Sequence, residues 1–456
     1  MSLNDVLAYI DHSIEDMTSD LFPLLRQPSI SADGTGVQEC ADLLATIMRR
    51  DGITTDVVPT AGHPVVLGHA TTRPEAPTLL VYGHYDVQPV DPVDAWTSPP
   101  FQPTIRDGRI YCRGSADNKG QLFAQLMAHR AWRAVAGSAP INLIYLFDGE
   151  EESGSTHLPD FIRHHRGALA ADAAYVSDGP VDETGRYRVA LGVRGLLALE
   201  LVAHGAARDY HSGHFGNLLP NPAWELVDLL ATMRDPDGRI TIDGFHDDVE
   251  PPDTATADAA RELPVSPGDF QTRHGVDRLA PMPEPGFFER LMFHPTLNIS
   301  GLQSGYAGAG SKTIIPATAA VRLDLRLVVR QDPDVIYRRV CEHVARHAPH
   351  VEVRRIGGAV PPSRTPLDSP VVGIVEKAVE KVTGAAPLVF PSTGGTLPDH
   401  VFTRILGVPL VKVPYANADE ANHAPDENLD LAYFRMGIRI AAAVIDAMAR
   451  LPKKEV

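Results

Sequence analysis

Four apolar runs, each leading into an acid or a histidine, constrain this chain more than any other feature. Thr78-Leu79-Leu80-Val81-Tyr82 runs into Gly83-His84-Tyr85-Asp86. Ile141-Asn142-Leu143-Ile144-Tyr145-Leu146-Phe147 runs into Asp148-Gly149-Glu150-Glu151-Glu152. Ala173-Ala174-Tyr175-Val176 is followed by Ser177-Asp178, and the run at 408–413 precedes His423. A strand that is apolar at nearly every position must be covered on both faces. Helical spacing recurs between these runs, at Leu3, Val6, Leu7, Ile10, Ile14 and Met17, at 36–50, at Leu122, Phe123, Leu126, Met127 and Val135, and at 369–382 and 431–448. The alternation predicts an α/β fold with a mostly parallel sheet sandwiched by helices.

The pattern changes near Arg194. Residues 197–202, 296–300 and 320–328 alternate as strands with one solvated face do, and 223–233 and 333–347 read as helices. Residues 235–285 are rich in Pro, Asp and Gly and read as a long insertion. After about residue 362 the first pattern returns. At roughly 150 residues per domain, 456 residues allow two to three domains. The reading is one α/β domain built from 1–192 and 364–456, interrupted by a smaller α+β domain at 193–363.

Composition narrows the function classes. The formal charge of −17 disfavours nucleic acid and anionic membranes as partners. Three scattered cysteines, Cys40, Cys112 and Cys341, form neither a disulfide framework nor a thiolate zinc cluster, and they favour a reducing cytoplasm. The N-terminus lacks a basic n-region, and no apolar run reaches the ~20 residues of a membrane span. A soluble, cytoplasmic protein is expected.

Taken singly, the polar segments are weak. His84 and Asp86 could be turn residues, Asp117 could cap the helix that follows Arg113-Gly114-Ser115-Ala116-Asp117-Asn118-Lys119-Gly120, and acid runs are usually solvated. Together they gather His, Asp, Glu, Asp and His where ligands of parallel sheets bind, beyond the carboxyl ends of strands. Imidazole and carboxylate without thiolate suit zinc, cobalt or manganese. Two His and three carboxylates suit two ions sharing one carboxylate. Gly305-Tyr306-Ala307-Gly308-Ala309-Gly310-Ser311-Lys312-Thr313 nearly spells a P-loop, but the lysine is one place late and Pro316 stands where a helix should run.

The segments GHYDVQP, RGSADNKG, EESGS, YVSDGP and GAGSKTIIP, in this order over nearly the whole chain, resemble the dinuclear zinc exopeptidases and deacylases. That family includes carnosine-type dipeptidases, aminoacylase, acetylornithine deacetylase and succinyl-diaminopimelate desuccinylase, and the dipeptidase branch is the nearest. The resemblance implies two divalent ions per chain, zinc first with cobalt or manganese as alternatives. Their ligands would be His84 and Asp178 on one ion, Glu152 and His423 on the other, and Asp117 between them. It implies Asp86 orienting His84 and Glu151 as general base. The run of three glutamates leaves Glu150–Glu151 open as the functional pair, and the following Ser153-Gly154-Ser155 favours Glu151–Glu152. His211, in Tyr210-His211-Ser212-Gly213, would contact the scissile carbonyl, and Arg326 would hold the substrate carboxylate. Thr313 and Thr396 would be substrate contacts. No counterpart of a second substrate-contacting His is visible in 357–365. The expected activity is hydrolysis of dipeptides or short peptides. The alternative on the same fold is N-acyl-amino-acid deacylation. A non-catalytic metal- or peptide-binding protein is the reading from another class. The middle domain would be a lid that forms a homodimer, with His211 acting on the neighbouring subunit.

Overall fold

The computed structural model describes residues 1–280 and 286–452. The chain opens with α1 (Leu3–Arg26), α2 (Val37–Arg50), β1 (Thr54–Val58), β2 (Val65–Ala70), β3 (Thr78–His84), α3 (Lys119–Ala136), β4 (Asn142–Asp148), β5 (Ala173–Val176) and β6 (Arg188–Ala190). It continues through β7 (Gly195–His204), α4 (Pro222–Met233), β8 (Thr296–Ser304), β9 (Thr318–Leu327), α5 (Pro333–His347) and β10 (Glu352–Arg355). It ends with α6 (Pro370–Thr383), β11 (Leu388–Phe390), β12 (Leu410–Lys412) and α7 (Leu431–Met448). These elements fall into two compact units. One holds Met1–Gly192, Arg364–Pro391 and Leu397–Val456, the other Val193–Ser363 and Ser392–Thr396.

The first unit is the expected α/β layer structure. Its sheet has eight strands in the order β1-β2-β4-β3-β5-β12-β6-β11. The central strands β4, β3, β5 and β12 run parallel, and β2 and β6 are antiparallel to their inner neighbours. Both faces are covered. Leu79, Val81, Leu143, Tyr145 and Tyr175 pack in the cluster that takes in α1, α2, α3, α6 and α7. Their neighbours along the strands, Leu80, Tyr82, Ile144, Leu146, Ala174 and Val176, fill a second cluster with Leu158, Phe161 and Phe402. That double coverage is why the strands carry no polar side of their own.

In the second unit the order is β8-β9-β7-β10, all antiparallel. Leu197, Leu199 and Leu201 of β7 and Val321, Leu323 and Leu325 of β9 pack with Leu226 and Leu229 of α4 and Ile336 and Val340 of α5. Intervening residues such as Arg322 stay exposed, so the strands alternate. The stretch read as a long insertion holds two short helices, Thr254–Arg261 and Pro267–His274. They are capped by Asp253 and Ser266, whose side chains accept from Thr256 N and Asp269 N. Residues 281–285 of that stretch lie outside the described residues. Among the described residues no helix is long and apolar enough to cross a membrane.

Candidate metal centre

The sheet of the first unit delivers its polar residues at the carboxyl ends of adjacent strands. His84 is the last residue of β3, and β4 leads through Asp148 into a single 3₁₀ turn at Glu151–Ser153. Asp178 follows β5 by two residues. His84 is 1% exposed. Its Nδ1 lies 3.2 Å from the Asp86 carbonyl oxygen and 3.3 Å from Asp86 Oδ1. With Nδ1 donating to Asp86, the Nε2 lone pair faces Asp117 Oδ1 at 3.1 Å without hydrogen-bond alignment. Two electron-pair donors this close repel unless a proton or a cation lies between them. The donor set fits a divalent ion.

Asp117 is not a helix cap. Asn118 occupies that position, and neither residue's side chain caps α3. The Asp117 carboxylate instead offers its two oxygens to two sides. Oδ1 faces His84, and Oδ2 lies 3.1 Å from His423 Nε2. His423 Nε2 is also 3.1 Å from Glu152 Oε2. Asp178 Oδ2 lies 4.0 Å from His84 Nε2. Ligand atoms of His84, Asp117 and Glu152 fall within 4.8 Å of one another. The structure therefore brings all five expected ligands into one group, disposed on two sides of Asp117.

The three consecutive glutamates part company. Glu150 is buried, and its carboxylate is held by the His157 ring Nδ1 at 2.9 and 3.0 Å and by the His157 amide. The Glu151 and Glu152 amides donate to Asp86 Oδ1 and Oδ2 at 3.2 and 3.0 Å, so Asp86 orients His84 and anchors the acid turn as well. Electrostatically the group is short of positive charge. Burial and the Asp117 carboxylate push Asp178 up to about 6, against the pull of His84. Burial also lifts Glu151 well above the usual range. His84 opposes that lift, and Asp178 and Glu152 add to it. Burial would raise Asp117 too, but a hydrogen bond with His423 and the nearness of the His84 ring hold it well below the ordinary value. Hydrogen bonds to Asp117 and Glu152 raise His423 to about 10.

Four supporting residues were not singled out from the sequence. Gln88 Nε2 donates to Glu152 Oε2 at 2.9 Å, and Asn118 Nδ2 donates to Asp178 Oδ1 at 3.1 Å and to the Ser177 carbonyl at 2.7 Å. Glu427, fully buried, accepts from Arg113 Nη1 at 2.7 Å and Gly114 N at 3.1 Å on one oxygen. Its other oxygen accepts from Ala116 N at 2.9 Å and Asp117 N at 3.0 Å. Gly114 turns this loop at φ +84, where a Cβ would meet Val87 Cγ1 at 2.9 Å. Gln88 and Asn118 sit inside the quoted motifs. Glu427 and Arg194, described next, carry no comparable local signal.

The remaining expected residues lie in the second unit. His211 ends a two-residue strand, Tyr210–His211, and is exposed. Its Nδ1 accepts from Gly213 N at 3.0 Å, so the ring proton sits on Nε2, 3.4 Å from Thr313 Oγ1. Arg326, on β9, donates from Nη1 to Thr396 Oγ1 at 2.6 Å, and Thr396 Oγ1 donates to the Arg194 carbonyl at 2.8 Å. Arg194 is 8% exposed, and burial and then Arg326 lower its pKa to about 10.

An imidazole–carboxylate cluster at the strand ends of a parallel sheet, with a second α+β unit inserted, defines a metal-dependent hydrolase class. Residues 80–447 match the model of Peptidase family M20/M25/M40, and the chain belongs to this family of metallopeptidases. It is 29% identical to the Cys-Gly metallodipeptidase dug1 of Schizosaccharomyces pombe, over 98% of this chain and 99% of that protein. Among solved structures it is similar to the M20 family metallo-carboxypeptidase Sso-CP2 of Sulfolobus solfataricus, with TM-score 0.86 and 34% identity over 95% and 99% of the chains. Human carnosine dipeptidase 1 superposes with TM-score 0.79 and 25% identity over 98% and 99%.

Proposed function

We propose that this protein hydrolyses the peptide bond of dipeptides with two divalent ions, zinc foremost, held by His84, Asp117, Glu152, Asp178 and His423. The observation that carries the reading is Asp117, whose two oxygens face His84 and His423 at 3.1 Å each. Bound there, divalent ions supply Lewis-acid polarisation of the carbonyl and a lowered pKa for attacking water. Glu151 takes the proton of that water and returns it to the leaving nitrogen. His211, with its proton on Nε2, donates to the developing oxyanion. Arg326 binds the substrate's terminal carboxylate, with Thr313 and Thr396 beside the substrate. Similarity to a Cys-Gly metallodipeptidase supports the dipeptide class.

The second unit serves as lid and dimerisation surface in this reading. Leu218, Trp224 and Val227 around α4 and Ile299 and Leu302 on the edge strand β8 are exposed apolar residues that a second copy would cover. Three unpaired cysteines support a cytoplasmic site of action. The test is turnover of a dipeptide panel against the matching N-acetyl amino acids, before and after metal stripping. Dipeptide turnover that returns on adding zinc, cobalt or manganese is expected. Faster cleavage of N-acetyl substrates would make the enzyme a deacylase. Full activity after complete stripping would overturn the metal assignment.

A further inference from the structure

Arg194 forms no ion pair among the described residues, although it is nearly buried beside a second arginine, and Asp324 is the acid whose charge reaches it. Its bonds all go to one turn. Its amide donates to Gly395 O at 3.1 Å, and Nε and Nη2 donate to Gly394 O at 3.1 and 3.0 Å. The turn answers through Thr396, whose hydroxyl donates to the Arg194 carbonyl at 2.8 Å. Residue 194 and residues 394–396 therefore hold each other by four hydrogen bonds across 200 positions of sequence. Gly394 packs closely here, since a Cβ would lie 3.1 Å from Leu291 Cδ1 and 3.4 Å from Arg194 Nη2.

The direction of these bonds matters. A threonine hydroxyl has one proton, and this one is committed to the Arg194 carbonyl. Its oxygen can then only accept, and the donor in place is Arg326 Nη1 at 2.6 Å. The relay runs one way, from the Arg326 guanidinium through Thr396 to the carbonyl of Arg194. Arg326 is further tied by its backbone, paired with Leu196 on β7 and Thr296 on β8. Asp324, two residues earlier, accepts from Asn298 Nδ2 at 2.7 Å. Neither Arg194 nor Arg326 forms an ion pair among the described residues, and the Asp324 carboxylate offsets only part of the charge, so this corner carries two guanidinium groups against one acid and an anionic group would balance it.

We propose that Arg194 is a positioning residue for substrate-carboxylate recognition: it fixes the 394–396 turn so that Thr396 aims Arg326, and it adds a second positive charge to the subsite. This rests on the reading that Arg326 binds the substrate carboxylate. A lysine at 194 keeps the charge but cannot hold Gly394 O with two N–H groups of one planar fork.

The experiment compares a dipeptide with its C-terminal amide, measuring kcat and KM separately in R326M, R194K, T396V, T396S and R194K/T396V. Expected for the dipeptide are a rise in KM of about tenfold or more in R194K and T396V, little change in kcat, and recovery in T396S, which retains the hydroxyl. The double variant should add little beyond either single change, because both break one relay. KM for the amide should rise less than KM for the dipeptide in every variant, so the preference for the dipeptide narrows. If R326M keeps the preference for the dipeptide over the amide, the carboxylate assignment itself is overturned. If R326M removes that preference while T396V and R194K keep the wild-type KM, only the role of Arg194 is overturned. Should R194K fold poorly, the contrast of T396V with T396S decides alone.

Discussion

Glu427→Gln should disturb the metal centre from behind, without touching a ligand. Burial raises the Glu427 pKa and Arg113 opposes that rise, yet four donors at 2.7–3.1 Å converge on its two oxygens and hold it as a carboxylate. Glutamine has the same shape but only one accepting oxygen. Two of the four donors would then face an NH₂ group in a site with no exposure. Breaking one side of a buried, hydrogen-bonded ion pair typically costs about 3–5 kcal/mol, a large part of the ~5–15 kcal/mol that holds a protein folded. Because Asp117 N and Ala116 N are among the donors, the loop presenting Asp117 would loosen, and metal affinity should fall about 10–100-fold. Urea unfolding of the stripped protein, followed by circular dichroism, reads the first quantity. Competition against a zinc chelator of known affinity reads the second. A variant within about 1 kcal/mol of wild type, with unchanged metal affinity, would show that Glu427 does not organise this loop.

Glu151→Gln should retain metal and lose most turnover, whereas Glu150→Gln should keep turnover and cost stability through the broken His157 contact; metal analysis beside kcat separates them. His211→Ala and Glu151→Gln, each inactive alone, should recover activity when subunits exchange, if His211 works across a dimer; verified heterodimers without activity would exclude that arrangement. Burial lowers His129 from 6.5 to about 4. The unfolded chain therefore binds its proton first, and the stability present above pH 6.5 falls by up to about 3 kcal/mol as pH drops to 4. Urea midpoints measured across that window should slope less in His129→Leu, and an identical slope in both proteins would remove His129 from the acid response.

How far the sequence could be read depended on where each residue's partners lie. The strands β3, β4 and β5 were legible because burial on both faces strips polar side chains from them, and His84, the acid turn and Asp178 were legible as their abrupt polar ends. Asp117 was ambiguous alone, since a helix cap and a ligand ask for the same residue type at the same place. The structure distinguishes the two: Asn118 holds the cap position, and the Asp117 oxygens face His84 and His423, the latter 306 positions away and 3.1 Å from Oδ2. The helices at 254–261 and 267–274 have ordinary start signals in Asp253, Ser266 and Pro267, but the abundance of Pro, Asp and Gly around them marks the stretch as an insertion without resolving its elements.

The residues that escaped share a geometry. Glu427 meets Gly114 across 313 positions and Arg194 meets Gly394 across 200, and in each case a charged side chain satisfies backbone groups of a turn that carries a functional residue. Backbone donors and acceptors leave no trace in sequence, since every residue except proline carries both. A side chain that binds another side chain can be suspected from a motif. One that binds a distant backbone turn has no complementary residue type to look for. Both turns also carry glycines: Gly114, at φ +84, where a Cβ would meet Val87 at 2.9 Å, and Gly394, whose carbonyl takes the Arg194 guanidinium. A glycine-bearing turn beside a functional residue, with an otherwise unexplained charged residue elsewhere in the chain, is therefore the nearest thing to a local signal that such holding residues leave.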